Sequence, residues 1–118
     1  MMINPEALKL IKDAVAYQVA RRYKDAADTF GQLEGLLEER PEDRQLALEH
    51  AARMSIKAQD YEGAMRYADK GLSLGLDNDH VSVLISHRNI ARLRSKPMDF
   101  DAKKAYAHEL VAILKRRK

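Results

Sequence analysis

The chain has 118 residues, of which 46% are apolar and 33% are charged, with five glycines, three prolines and no cysteine. This balance excludes a disordered chain, a membrane span, a disulfide framework and any site built on cysteine thiolates. The charge is unevenly distributed, because residues 1–80 carry a net charge of −4 and residues 81–118 a net charge of +7. Few helix-breaking residues and abundant Ala, Leu, Glu, Lys and Arg predict an all-α protein.

Apolar residues recur with helical spacing in six segments that are separated by short turns. Asn4 and Pro5 are typical of a helix start, Pro41 can open a later helix, and Gly75 is typical of a left-handed helix end. The predicted helices cover about residues 5–21, 23–39, 41–58, 61–74 and 79–94, and a sixth runs from about residue 100 to the terminus. The sequence therefore predicts one domain, residues 1–118, built from three helical hairpins over about residues 5–40, 41–76 and 79–117.

One short pattern recurs at a constant spacing of 38 residues. In each copy an alanine is followed, one helical turn later, by an aromatic or small residue. The pairs are Ala26 with Phe30, Ala64 with Ala68, and Ala102 with Tyr106. A small residue lets two helices approach closely, and a large one fills the space towards the next hairpin. A fixed period in this range predicts stacked helical hairpins.

In this spacing the chain resembles the tetratricopeptide-repeat (TPR) proteins, and Tyr23 and Tyr61 match the aromatic residue that opens the second helix of a unit. The first helices depart from the family pattern, since Leu10 and Leu48 stand where tryptophan is usual. The period is also about one helical turn longer than the 34 residues usual in the family. The resemblance implies three antiparallel helical hairpins (six helices) stacked as a right-handed TPR-like α-solenoid.

The resemblance also implies a concave groove, lined by the first helix of each hairpin, that receives a partner segment. On this register the lining residues are Leu8, Ile11, Val15 and Val19 in the first unit, Glu49, Arg53, Ile56 and Lys57 in the second, and Leu84, His87, Ala91 and Arg94 in the third. Such a groove suits a peptide or an amphipathic helix with apolar anchors and nearby acidic residues. The alternative is that several of these residues simply join the core.

The expected function is therefore that of a protein-interaction module, an adaptor, scaffold or chaperone-like protein with a protein or peptide partner. The N-terminal residues lack the basic and apolar stretches of a secretory signal, so we expect a cytoplasmic location and no membrane association. The four histidines do not have the spacing of metal ligands, and no phosphate loop or nucleophile motif is present. We accordingly expect no enzyme, no cofactor and no metal site.

The last predicted helix is apolar on two sides. Ala102, Ala105, Tyr106, Leu110 and Ile113 form the stripe expected to pack on the fifth helix, and Ala107, Val111 and Leu114 extend the apolar arc beyond it. The terminal helix of a solenoid normally has a polar outer face. The second stripe therefore predicts contact with a second copy of the chain, as in a homodimer, or with a partner. Tolerated surface aliphatic residues are the alternative.

Basic residues in the last third of the chain support an alternative function, the binding of an anionic polymer such as nucleic acid. These residues are Arg88, Arg92, Lys115, Arg116, Arg117 and Lys118. No aromatic residues alternate with these charges, and residues 1–80 are acidic. Nucleic acid is therefore the weaker of the two expectations.

Overall fold

The computed structural model describes residues 4–95 and 100–116. Six helices occupy these ranges: α1 (Pro5–Val19), α2 (Tyr23–Gly35), α3 (Pro41–Lys57), α4 (Tyr61–Leu72), α5 (Asp79–Ser95) and α6 (Phe100–Arg116). No strand occurs in this part of the chain, and consecutive helices from α1 to α5 pack against each other. The all-α, six-helix hairpin stack is therefore confirmed, while its handedness stays a prediction.

The predicted capping residues start their helices as their chemistry requires. The Asn4 side chain accepts a hydrogen bond of 2.8 Å from the amide of Glu6, and Asn78 accepts one of 3.0 Å from the amide of His80. Pro41 is the first residue of α3, where its missing N–H leaves no hydrogen bond unmade. Each cap satisfies an amide that the helix itself cannot pair.

The 38-residue repeat is present in the backbone itself. Arg21 and Gln59 follow α1 and α3, and both adopt the left-handed conformation with φ of 61°. The amide of the next residue, Arg22 or Asp60, donates to the carbonyl five residues back at 2.8 Å in both units. The two turns are therefore the same structure. Because Arg21 reverses the chain, α1 ends at Val19 and not at the predicted Arg21.

Helix α2 ends four residues earlier than predicted, at Gly35. The amide of Leu36 donates to the carbonyl of Leu33 at 3.0 Å, and the amide of Leu37 donates to the carbonyl of Glu34 at 3.1 Å. Both hydrogen bonds reach the third residue back, as in a 3₁₀ turn. Leu36 and Leu37 are still partly buried against the core. The apolar character of Leu36 and Leu37 predicted that the helix continues through them. The structure shows that both can pack against the core from a turn as well.

The core consists of two adjoining clusters rich in alanine. The larger lies between α1, α2 and α3 and contains Ala7, Ala14, Ala26, Ala27, Phe30, Leu33, Ala47, Ala51 and Met54. The smaller joins α3, α4 and α5 through Ala52, Ala68 and Leu84. Gly71 of α4 permits this second contact, since a methyl group there would lie 2.9 Å from Leu84 Cδ1. Small side chains thus bring the helices close together, as the repeat predicted.

One buried carboxylate connects three helices. Glu34 of α2 is almost fully buried and accepts hydrogen bonds from Arg44 Nη2 of α3 at 2.6 Å and from Lys70 Nζ of α4 at 2.9 Å. Burial alone would raise the pKa of Glu34, but the two hydrogen bonds and the two positive charges outweigh it, so the pKa lies below its ordinary value of 4.5. The first and second hairpins are therefore held by a charged contact as well as by apolar packing.

The apolar side chains that the structure describes in α6, from Ala107 onwards, are exposed. Leu110, Val111, Ile113 and Leu114 are 44%, 49%, 41% and 64% exposed. The expectation that Leu110 and Ile113 pack on α5 is therefore wrong. Ala102, Ala105 and Tyr106, predicted for the same stripe, lie outside the residues whose side chains the structure describes. The whole chain is elongated, with principal extents of 54 × 31 × 22 Å.

No helix in residues 4–95 or 100–116 combines the length and the apolar character that crossing a membrane requires.

Candidate partner-binding groove

A groove runs between α1 and α3 and is floored by α2. Both α1 and α3 pack on α2, but they have no comparable packing on each other, whereas α3 packs directly on α5. The gap between α1 and α3 forms a cavity of about 450 Å³. We call this cavity and its walls the α1–α3 groove.

The α1–α3 groove is predominantly apolar and open. Its walls are Ala7, Ile11, Val15 and Gln18 of α1, Phe30, Leu33 and Leu37 on the α2 side, and Arg40, Asp43, Leu46, Ala47 and His50 on the α3 side. Ile11, Val15 and Leu46 are 38%, 48% and 40% exposed. Contiguous exposed aliphatic side chains of this kind are typical of an interaction surface.

Phe30 and His50 form an aromatic contact in the lining of the groove. Their rings stack with centroids 5.1 Å apart and an interplanar angle of 25°. Phe30 is buried and lies among the core residues, yet it also lines the groove. Burial and the neighbouring Arg53 guanidinium hold the pKa of His50 below its ordinary value of 6.5. His50 therefore presents a neutral imidazole to the groove at pH 7.

A charged cluster closes the adjoining space between α3 and α5. Buried Glu49 accepts a hydrogen bond from Arg53 Nη2 at 3.2 Å, and its other oxygen lies 2.6 Å from Nδ1 of His80. His87 lies in the same neighbourhood, and burial together with Arg53 holds its pKa below 6.5. Glu49, Arg53 and His80 pair with one another, so the space between α3 and α5 is filled by polar contacts and is not an open apolar groove.

Only part of the predicted lining lies in the α1–α3 groove. Ile11 and Val15 line it on the α1 side, while Leu8 and Val19 are exposed on the same helix but outside the cavity. The prediction that Leu84 lines the groove is wrong, since this residue is fully buried in the second core cluster.

The residues predicted for α3 and α5 lie elsewhere. Glu49 and Arg53 belong to the charged cluster with His87 nearby, and the Lys57 ammonium lies 5.4 Å from the centroid of the Tyr23 ring. Ile56 is half-buried, Ala91 is buried and Arg94 is exposed near the end of α5. The α3 wall is formed instead by residues about one turn earlier, Asp43, Leu46 and His50.

Sequence reasoning missed Phe30, Leu33, Leu37, Leu46 and His50 as groove residues. The first three have a clear signal, because they repeat at three- and four-residue spacing within residues 23–39, the range predicted for the second helix. Leu46 was detectable because it is two residues from Leu48, and this spacing places the two leucines on different faces of α3. No sequence pattern marks His50 as a groove residue. Only its stacking on Phe30 in the structure identifies it.

The basic residues do not form one free patch among the described residues. Arg88 is half-buried, with Nη1 3.6 Å from Asp69 of α4 and Nε buried without a hydrogen-bond partner. Arg92 is exposed on α5, and Lys115 and Arg116 are exposed at the end of α6. Arg117 and Lys118 lie outside the described residues.

Within the described ranges, no group of three or more His, Cys, Asp or Glu side chains has a geometry that could hold a metal ion. Of the three histidines near Glu49, His80 contacts that carboxylate, His50 stacks on Phe30, and His87 is half-buried with no hydrogen-bond partner for Nε2 among the described residues.

No family model, no curated protein and no solved structure matches the chain.

Proposed function

We propose that the chain is a protein-interaction module that captures a helical or extended segment of a partner in the α1–α3 groove. The TPR-like architecture and a cytoplasmic location belong to the same proposal. The single observation that carries it is the open apolar cleft of about 450 Å³ between two helices that do not pack on each other. Binding there is non-covalent, and the module acts by holding its partner as an adaptor or chaperone would.

The shape of the groove favours a segment of protein over a small ligand. Its volume lies in the range of small-molecule sites, but such sites usually enclose most of the ligand. Here Ile11, Val15 and Leu46 remain more than a third exposed, so the groove is open along its walls. An amphipathic helix fills such a cleft with anchors from one face and leaves its polar face in water.

The distribution of polar groups further restricts the partner. Asp43 and Arg40 stand at one end of the groove, where Arg40 Nε pairs with Asp43 at 2.7 Å, and Gln18 and His50 supply the other polar groups of the lining. Between them the walls are aliphatic and aromatic. A partner segment is expected to bring two or three apolar anchors, with polar groups at the ends of the contact.

Affinity capture from lysate with mass spectrometry tests this function. The double variant Ile11→Glu/Val15→Glu places two charges on the groove wall and is expected to lose the partner that the native chain retains. Leu93→Glu is the matched control, because Leu93 is 49% exposed on α5 and lies outside the groove. An unchanged partner set in the groove variant, with its melting temperature preserved, would refute the proposal.

A further inference from the structure

Helix α6 has the pattern of a groove-binding helix. Ala107, Leu110, Val111 and Leu114 follow the spacing i, i+3, i+4, i+7, which is the anchor pattern of an amphipathic helix bound in an apolar cleft. All four are exposed. Within the described ranges, the same chain thus has an open apolar groove and an exposed apolar helix face.

The two surfaces agree in size. From Ala107 to Leu114 the anchors span about 10 Å along the helix axis at 1.5 Å per residue. The α1 wall of the groove, from Ala7 to Gln18, extends about 16 Å by the same measure. All four anchors of α6 therefore fit along the groove, with room for a further turn of helix.

Their charges are complementary. Residues 1–80, which form the groove, have a net charge of −4, while residues 81–118 have a net charge of +7. Near the start of α3 the groove wall includes Asp43 paired with Arg40. The exposed carboxylates Glu38, Glu39 and Glu42, which take no part in this contact, lie beside the pair in the chain and leave this rim acidic. The exposed Lys115 and Arg116 follow the last anchor of α6 directly. A bound α6 can therefore place basic side chains beside an acidic rim.

We propose that α6 of one copy binds in the α1–α3 groove of a second copy, and that the second copy returns its own α6 to the first. Because each copy places its α6 in the groove of the other, both grooves are filled and the assembly closes as a two-fold dimer. The groove is assigned to a second copy because Leu110, Val111 and Leu114 are exposed within their own chain. This inference rests on the proposed function, since it names an occupant of the same groove. A partner segment must then displace α6 to bind.

Cysteine pairing tests the contact directly, because the native chain contains no cysteine. The single variants Val15→Cys and Leu114→Cys are mixed in equal amounts and oxidised. We expect a disulfide-linked heterodimer of the two variants as the main product. The control mixture pairs Leu93→Cys with Leu114→Cys and is expected to give little. If Leu114→Cys alone forms the disulfide dimer as readily, two α6 helices pack on each other and the proposal is wrong.

Sedimentation velocity gives the second measurement. The native chain is expected to dimerise, and either Leu110→Glu/Leu114→Glu or Ile11→Glu/Val15→Glu should raise the dimer dissociation constant by about 100-fold or more, while Leu93→Glu leaves it unchanged. The α6 variant alters only exposed side chains, so its fold is expected to persist. A native chain that stays monomeric at about 1 mM would overturn the proposal. Capture of another protein through the groove would still support the proposed function in that case.

Discussion

At the scale of single residues, Phe30 connects the core to the groove. It is buried among the residues of the larger cluster and its ring stacks on His50 of α3. Its alanine four residues earlier, Ala26, is fully buried, as the repeat predicted. The aromatic residue of the repeat therefore serves packing and also forms part of the candidate binding surface, which the sequence alone assigned to packing only.

Phe30→Ala is expected to lower the free energy of unfolding by about 3–5 kcal/mol, because it opens a cavity beneath His50 and removes buried aromatic surface. Phe30→Leu should cost clearly less, since it keeps most of the buried volume. Urea denaturation followed by circular dichroism measures both. Equal stability of Phe30→Ala and the native chain would show that the ring is not part of the core.

The two half-buried histidines make stability depend on pH. His50 faces Glu49 and Arg53 of its own helix, His80 of α5 and the Phe30 ring of α2. Burial, with Arg53 second, depresses the pKa of both His50 and His87 below 6.5. The unfolded chain consequently binds more protons than the folded chain at mildly acidic pH. Their contribution to stability is complete above pH 6.5 and is lost as the pH falls through the lower folded-state pKa values.

The free energy of unfolding is therefore expected to fall as the pH is lowered from about 7 to 5. The carboxyls of Glu34 and Asp60, whose pKa values are held below 4.5 and 3.8, lose their contribution only at lower pH. The double variant His50→Gln/His87→Gln should flatten the profile between pH 7 and 5. A native profile that is level or rises towards pH 5 would contradict the assignment of neutral imidazoles.

At the scale of the elements, the turns after α1 and α3 show how the repeat works. Arg21 and Gln59 adopt a left-handed conformation that glycine tolerates better than other residues. Gly75, after α4, has φ of 72° and confirms the helix end that its identity predicted. Of the three left-handed positions in residues 4–95 and 100–116, one is therefore a glycine and the other two bear conformational strain.

Gln59→Gly is expected to raise the free energy of unfolding by about 0.5–1 kcal/mol, because relief of left-handed strain exceeds the added flexibility of the unfolded chain. Gln32→Gly, in the exposed interior of α2, is the matched control and should cost about 1 kcal/mol. Thermal unfolding of the two variants beside the native chain measures the difference. A loss of stability in Gln59→Gly would mean that its side chain makes a contact worth more than the strain.

The sequence predicted the elements better than it predicted the groove. Periodicity, caps and the 38-residue repeat placed all six helices, because these signals are local or recur at fixed spacing. The groove depends on how far α1 stands from α3, which no local pattern encodes. The register carried over from the TPR resemblance therefore includes Ile11 and Val15, which line the cavity, but it put Leu84 on the surface, although Gly71 opposite allows Leu84 to be buried.

At the scale of the whole molecule, the chain is an unevenly packed stack. Between α3 and α5 a polar cluster around Glu49 fills the space, while between α1 and α3 an apolar cleft is left open. The acidic first two-thirds carry this cleft, and the basic last third carries an exposed apolar helix. The open cleft and the exposed face of α6 both have a role if the molecule binds protein segments, including α6 of a second copy.

Site-specific photo-crosslinking tests the groove as a binding site most directly. A benzophenone amino acid is placed at Val15, in the groove wall, and separately at Leu93, which is similarly exposed on α5 outside it. On irradiation in cells, the probe at Val15 is expected to give discrete crosslinked species that disappear when Ile11→Glu is added, and the probe at Leu93 is expected to give none of them. The absence of crosslinks at Val15, or the same species from both positions, would contradict the account.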